Sequence, residues 1–248
     1  MRILVVTAVA AEADAVLGGA GSRRIALPGR PRPGYGLRRQ GRLDVLAAGV
    51  GPAAAAAGTA TALTAADITG RPYGLVVSAG IGGGFAEVAP VGSVVVAESI
   101  AAADLGAETP DGFLPVTALG FGTDAHRPPE GLARAVARAT GAVYGPVLTV
   151  STVTGTAGHA AALAERHPGA AAEAMEGFGV AEAAAAHGVP VLEIRAVSNP
   201  VGPRDRAAWR IPDALAALTA AFAALPDPLP GASPDVPPAL RPDPEEEA

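Results

Sequence analysis

The first sixteen residues, MRILVVTAVAAEADAV (Met1–Val16), hold the fold in miniature. Ile3–Thr7 is a short apolar run bounded by small residues, which reads as a buried strand. The Ala-rich stretch that follows carries Glu12 and Asp14 and predicts a helix over Ala10–Leu17. The same alternation recurs downstream. Further strands are predicted at Leu43–Ala48, Leu75–Ala79, Ser93–Ala97, Val147–Val150 and Val191–Ala196. Helices are predicted at Pro52–Ala66, Pro129–Ala139, Ala157–Arg166, Gly177–His187 and Pro212–Ala224, some opening with Pro, whose missing N–H costs nothing in a first turn. This order predicts an α/β protein: a single-domain central sheet flanked by helices on both faces. No linker interrupts residues 1–225. The Pro-rich acidic segment 226–248 lacks aromatics and is expected to be a disordered tail. Arg23–Gln40, rich in Pro and Arg, reads as a loop plus a short strand with no assigned role.

Composition removes several classes of function. Among 248 residues there is no Cys, which excludes disulfides, thiolate catalysis and Cys-based metal sites. There is no Lys, so a P-loop lysine is impossible. The four His, at 126, 159, 167 and 187, have no metal-ligand spacing, and no metal site is expected. The net charge of −6 sits mostly in the tail, with six acids and one Arg, leaving the body near −1. A nearly neutral body without a basic stripe argues against nucleic acid as a partner. The N-terminal apolar run is shorter than a signal peptide requires. No stretch supplies the roughly 20 apolar residues of a membrane span. A cytoplasmic protein that does not engage membranes is expected.

In open α/β sheets, ligands bind at the carboxyl ends of strands. Polar or Gly residues follow the predicted strands at Thr7–Glu12, Gly49–Gly51, Gly80–Gly84, Ser151–Gly155 and Ser198–Pro200. Gly80, Gly82 and Gly84 follow a later strand rather than the first, so they do not form a dinucleotide fingerprint. They fit a tight turn, or a loop whose backbone groups approach a ligand closely. Glu12 fits either an acid complementing a helix N-terminus or a general base. Glu176, in apolar company beside Met175 and Phe178, needs a partner, which paired hydroxyls of a ligand would supply. Asn199 fits either a turn before Pro200 or recognition of a planar heterocycle edge.

Four segments resemble the purine nucleoside phosphorylase and nucleosidase superfamily; the likeness runs from roughly Arg2 to Leu225 and implies a mixed central sheet of the nucleoside phosphorylase type. MRILVVTAVAAEADAV is similar to the opening of the methylthioadenosine/adenosylhomocysteine nucleosidases, with Glu12 on their water-activating glutamate. VSAGIGGGF (Val77–Phe85) is similar to their Gly-rich loop. AMEGFG (Ala174–Gly179) resembles their ribose motif, placing Met175 against the sugar and Glu176 on its hydroxyls. RAVSNPVGPRD (Arg195–Asp205) resembles the segment that carries the purine-recognition residue, here Asn199.

The departures carry meaning. Adenine-cleaving members have Asp at the position of Asn199. An Asp can protonate N7, whereas an Asn can only donate to N7 or O6, which suits a 6-oxopurine. The phosphorylases hold phosphate with Arg and Ser, and Leu75–Phe85 contains no Arg, although Arg23 and Arg24 remain candidates. The runs SNPVGPRD and TVSTVTGTA (Thr149–Ala157) resemble the futalosine hydrolase family. The resemblance implies hydrolysis of futalosine to hypoxanthine and a product keeping the aryl-ketone arm, within menaquinone biosynthesis. It implies catalytic roles for Glu12, Glu176 and Asn199. Substrate contacts would come from Gly80, Ile81, Gly82, Val153, Thr154, Met175, Arg204 and Asp205. It implies no cofactor and a homo-oligomer completed by a neighbouring subunit. The alternatives are a 6-oxopurine nucleoside phosphorylase, an adenine-cleaving nucleosidase and a non-catalytic purine-binding protein.

Overall fold

Strand β1 (Ile3–Thr7) is buried along its whole length and leads directly into helix α1 (Ala10–Leu17), as its sequence requires. The computed structural model describes residues 1–19, 21–27 and 36–229. After α1 come β2 (Arg23–Ile25), β3 (Leu37–Gln40), β4 (Leu43–Ala47), α2 (Pro52–Ile68), β5 (Leu75–Gly84) and β6 (Val94–Ala102). A small hairpin, β7 (Gly106–Thr109) and β8 (Gly112–Pro115), stands apart from the main sheet. The chain continues through β9 (Ala125–His126), α3 (Glu130–Thr140), β10 (Val143–Thr149) and α4 (Ala157–Arg166). It ends with β11 (Ala172–Ala174), α5 (Gly177–Ala186), β12 (Val191–Pro200) and α6 (Ile211–Ala223).

The main sheet runs β11-β10-β6-β12-β5-β1-β4-β3-β2, with β9 added to β6. It is mixed: β1 is parallel to β4 and β5, β12 is parallel to β5, and β12 is antiparallel to β6. The tip of β5 also pairs with β11, Ala172 opposite Gly84 and Glu173 opposite Gly83. That pairing closes β5, β12, β6, β10 and β11 into a ring. One apolar core lies under α1, α3 and α6, the other under α2 and α5.

The expected helices are all present with ends shifted by two residues at most. Strand β1 has the expected bounds, β4 ends one residue early, β5, β6, β10 and β12 are longer than expected, and the Gly-rich segment is the main correction. Gly80, Gly82 and Gly84 are neither a turn nor a loop, but the second half of β5. They are glycines because neighbours crowd both sides of the strand. A Cβ on Gly82 would stand 2.7 Å from the Glu173 carbonyl oxygen, and one on Gly84 2.1 Å from that of Ala89. Arg23–Gln40 also differs from expectation: it supplies two strands rather than one, β2 and β3, which pair antiparallel, with β2 at the edge of the sheet. Within 226–248, Arg42 donates to Asp227 and to the Pro226 carbonyl, and Leu229 is buried against the body. The rest of the expected tail, 230–248, lies outside the described residues. Among the described residues no helix is long and apolar enough to cross a membrane.

Gly179 of α5 packs against the start of α2, and a Cβ there would meet the Pro52 carbonyl oxygen at 2.0 Å. Ala gains up to about 1 kcal/mol of helix propensity over Gly. A backbone clash of this size outweighs that gain. Gly179→Ala is therefore expected to lose about 1–3 kcal/mol of stability. Urea denaturation of the two proteins checks this, and an unchanged midpoint would refute it.

Candidate active site

Five of the segments singled out in the sequence converge on one cavity of about 530 Å³, within the range of small-molecule sites. Its walls come from the β1–α1 turn (Ala8, Val9, Glu12), Val50, the tip of β5 (Ile81–Gly83), Val153–Thr154, Glu173–Glu176 and the stretch from Ser198 to Trp209. The closed ring of strands brings these pieces together, because β5, β11 and β12 all end at this mouth.

Glu12 is buried in the first turn of α1. Its Oε2 accepts from the backbone N–H groups of Ala8 and Val9 at 3.0 and 3.2 Å, and its Oε1 accepts from Ile81 at 2.9 Å. The carboxylate therefore ties the β1–α1 turn to β5 through three backbone amides. Glu176 stands at the N-terminal end of α5, where its side chain leaves the helix amides and accepts from the Gly51 N–H at 3.2 Å.

Between these acids lies Arg195 of β12, which is 1% exposed. Its Nε donates to Glu193 at 2.8 Å, its Nη2 donates to Ser78 Oγ at 2.9 Å, and its Nη1 lies 3.2 Å from Glu176 Oε2. Nη1 has no hydrogen-bond partner within the protein. Gly80 sits behind this group rather than on the cavity wall. A Cβ there would stand 2.5 Å from Glu12 Oε1 and 2.7 Å from Arg195 Nη1. Only glycine lets the two approach. Burial works against the Arg195 charge, yet the carboxylates of Glu193, Glu176 and Glu12 hold its pKa above the ordinary value. Burial pushes the Glu193 carboxyl up, against the pull of Arg195.

At the far wall, Asn199 is oriented by its neighbours. Its Oδ1 accepts from Ser198 Oγ at 2.8 Å, and its Nδ2 donates to the Pro200 carbonyl at 3.0 Å. One hydrogen of its amide remains for a ligand. Thr154 is held through its N–H and its hydroxyl by Glu173, a residue without a sequence signal of its own. Met175, Ile81, Gly82 and Val153 line the cavity. Arg204 and Arg206 also line it and flank the Trp209 ring at 5.0 and 5.8 Å. Asp205 does not line it, and its side chain instead caps the following turn by accepting from Ala207 N–H. Arg23 and Arg24 sit on the outermost strand β2, separated from β5 by β1, β4 and β3. Among the described residues no group of three metal-ligating side chains is present.

The residues that sequence reasoning missed, Arg195 and Glu193, did leave a signal. Glu193 and Arg195 are two apart in the otherwise apolar strand VLEIRAV (Val191–Val197), so they share one face. Opposite charges on one face of a buried strand must pair with each other or with something functional. Replacing Arg195 by Met leaves buried carboxylates uncompensated, and a loss of about 3–5 kcal/mol is expected. The loss should shrink as pH falls, because protonation relieves unpaired acids. Urea denaturation of both proteins at neutral and acidic pH checks this, and a difference independent of pH would contradict it.

The comparisons agree with this architecture. The model of the family described as the phosphorylase superfamily matches residues 2–225. A futalosine hydrolase of Streptomyces coelicolor is 68% identical over 228 residues, covering 91% of this chain and 95% of the relative. One from Acidothermus cellulolyticus is 51% identical, covering 91% and 90%. Among solved structures, the methylthioadenosine/adenosylhomocysteine nucleosidase of Neisseria meningitidis, in complex with methylthio-immucillin-A, has a TM-score of 0.71 at 20% identity, covering 90% of this chain and 96% of that one. The corresponding nucleosidase of Streptococcus pneumoniae has a TM-score of 0.72 at 21% identity, covering 91% and 100%. These two share the fold. The chain thus belongs to the futalosine hydrolase family within the phosphorylase superfamily.

Proposed function

We propose that the protein hydrolyses the N-glycosidic bond of futalosine, releasing hypoxanthine and leaving the aryl-ketone arm on the sugar, as a step of menaquinone biosynthesis. The observation that carries this reading is the pair of buried acids on the cavity wall, Glu12 and Glu176, with Arg195 buried behind them and the neutral amide of Asn199 on another wall.

The sugar lies against Met175, with its hydroxyls on Glu176. Glu12 accepts a proton from the attacking water. The unpartnered Nη1 of Arg195 offers a hydrogen bond to that water or to a sugar hydroxyl. As the glycosidic bond breaks, positive charge grows on the sugar and negative charge on the base. Two buried carboxylates beside the sugar favour the first. Asn199 donates to N7 or O6 and favours the second. Ile81 and Gly82 contribute backbone groups, and Val153 with Thr154 border the base.

The substrate's arm ends in an aryl carboxylate. Arg204 and Arg206, with Trp209 between them, offer two cations and an aromatic face on the cavity wall. Arg210 is paired with Asp213, while Arg204 and Arg206 have no acid within salt-bridge reach among the described residues. The homo-oligomeric, cytoplasmic state expected from the sequence belongs to the same proposal. Exposed Leu105, Leu114, Leu119 and Phe121 support a contact with a second copy.

The direct test is release of free hypoxanthine from futalosine in phosphate-free buffer, followed by chromatography, with inosine and methylthioadenosine in parallel. Hypoxanthine from futalosine alone supports the reading. Release only on adding phosphate, or release of adenine, overturns it. Glu12→Gln should lower kcat by about 10²–10⁴-fold while sparing substrate binding. Near-normal turnover would remove Glu12 as the base. The double variant Arg204→Ala/Arg206→Ala should raise KM for futalosine about tenfold or more and leave the binding of free hypoxanthine, which lacks the arm, unaffected. Equal weakening of futalosine and hypoxanthine would dissociate these residues from the arm.

A further inference from the structure

Glu173 is a carboxylate that is 5% exposed, lines the cavity and has no cation in salt-bridge reach among the described residues. Such a group is costly unless it is well bonded. Thr154 supplies two donors, its N–H at 2.8 Å and its hydroxyl. An ionised carboxylate has about four acceptor sites, so roughly two remain.

The sheet fixes where those sites face. Glu173 of β11 pairs with Gly83 of β5 from one side, and Asn199 of β12 pairs with the same Gly83 from the other. Residues in register across a sheet share a face, and both side chains line the same cavity. The two Cα atoms are separated by two strand spacings, roughly 10 Å. Gly83 between them has no side chain, leaving a slot with a backbone floor. A Cβ on Gly83 would already meet Asn199 Nδ2 at 3.4 Å. The slot thus presents an amide donor at one side and a carboxylate acceptor at the other.

A 6-oxopurine carries a matching edge: N7 and O6 accept, and N1–H donates. Adenine reverses the last two, with a donating 6-amino group and an accepting N1. We propose that Glu173 is a specificity residue that accepts the N1–H of a 6-oxopurine while Asn199 donates to N7 or O6. The assignment rests on the reading of this cavity as the base site. It gives Glu173 a role beyond its support of the Thr154 loop.

The test is calorimetric binding of hypoxanthine and of adenine to the wild-type protein, to Glu173→Gln and to Thr154→Val. The wild type should prefer hypoxanthine. A hydrogen bond to a charged group sets the expected effect, so Glu173→Gln should narrow that preference about 10–100-fold. The glutamine amide can donate to N1 of adenine, so adenine binding should hold or improve. Thr154→Val removes the hydroxyl bond but keeps the carboxylate, so it should weaken both bases and preserve the preference. If Glu173→Gln weakens both bases equally and keeps the preference, Glu173 merely supports its loop and the proposal fails. If the wild type binds neither base, the base-site reading fails, and this assignment falls with it.

Discussion

A guanidinium that is 1% exposed must be surrounded by acids, and this requirement at Arg195 organises the site. Its three nitrogens reach β12 itself through Glu193, β5 through Ser78 and the start of α5 through Glu176. The two groups proposed to act on the sugar side, Glu12 and Glu176, thus share one cation that cannot leave. The guanidinium offsets the charge of both acids and fixes where they stand. Three backbone amides hold the Glu12 carboxylate from the other side.

This arrangement depends on the glycines of β5. Side chains at Gly80, Gly82 or Gly84 would collide with Glu12, with the Glu173 backbone or with Ala89. Glycine in a strand normally weakens it. Here ladders on both sides, from β12 and β11, compensate for the loss of stiffness. The strand can then act as the floor of a slot and as the seam that closes the ring. A turn made of the same residues could do neither.

The fold class was legible because buried parallel strands and Ala-rich helices have distinct periods, and these survive in a biased composition. Helix ends were legible within two residues. Strand ends were less so, since β5, β6, β10 and β12 all extend beyond their expected runs, β5 and β12 through segments that read as turn or loop, Gly80–Gly84 and Ser198–Pro200. Tertiary pairing overrides local preference there. Of β2 and β3, the sequence showed only one short strand, because neither carries a continuous apolar run. In the site, the residues in motifs were read directly, and the residues that hold them were legible only in part. Arg195 and Glu193 were detectable from their spacing alone. Glu173 was not, since only the register of β11 against β5 reveals that it faces Asn199 across Gly83.

The two ends of the proposed reaction place opposite demands on charge. At the sugar end, negative groups help, because the sugar becomes cationic. At the base end, a carboxylate that recognises N1–H also faces a leaving group that gains negative charge, which opposes departure. Thr154 offsets this in part, because its N–H and hydroxyl draw charge away from the base-facing side of Glu173. Asn199 offsets the rest by donating where the charge accumulates. An aspartate at 199 would set a second carboxylate on the same slot and could donate only when protonated. A neutral amide paired with one carboxylate is therefore the combination that reads a 6-oxopurine edge and still lets the base leave.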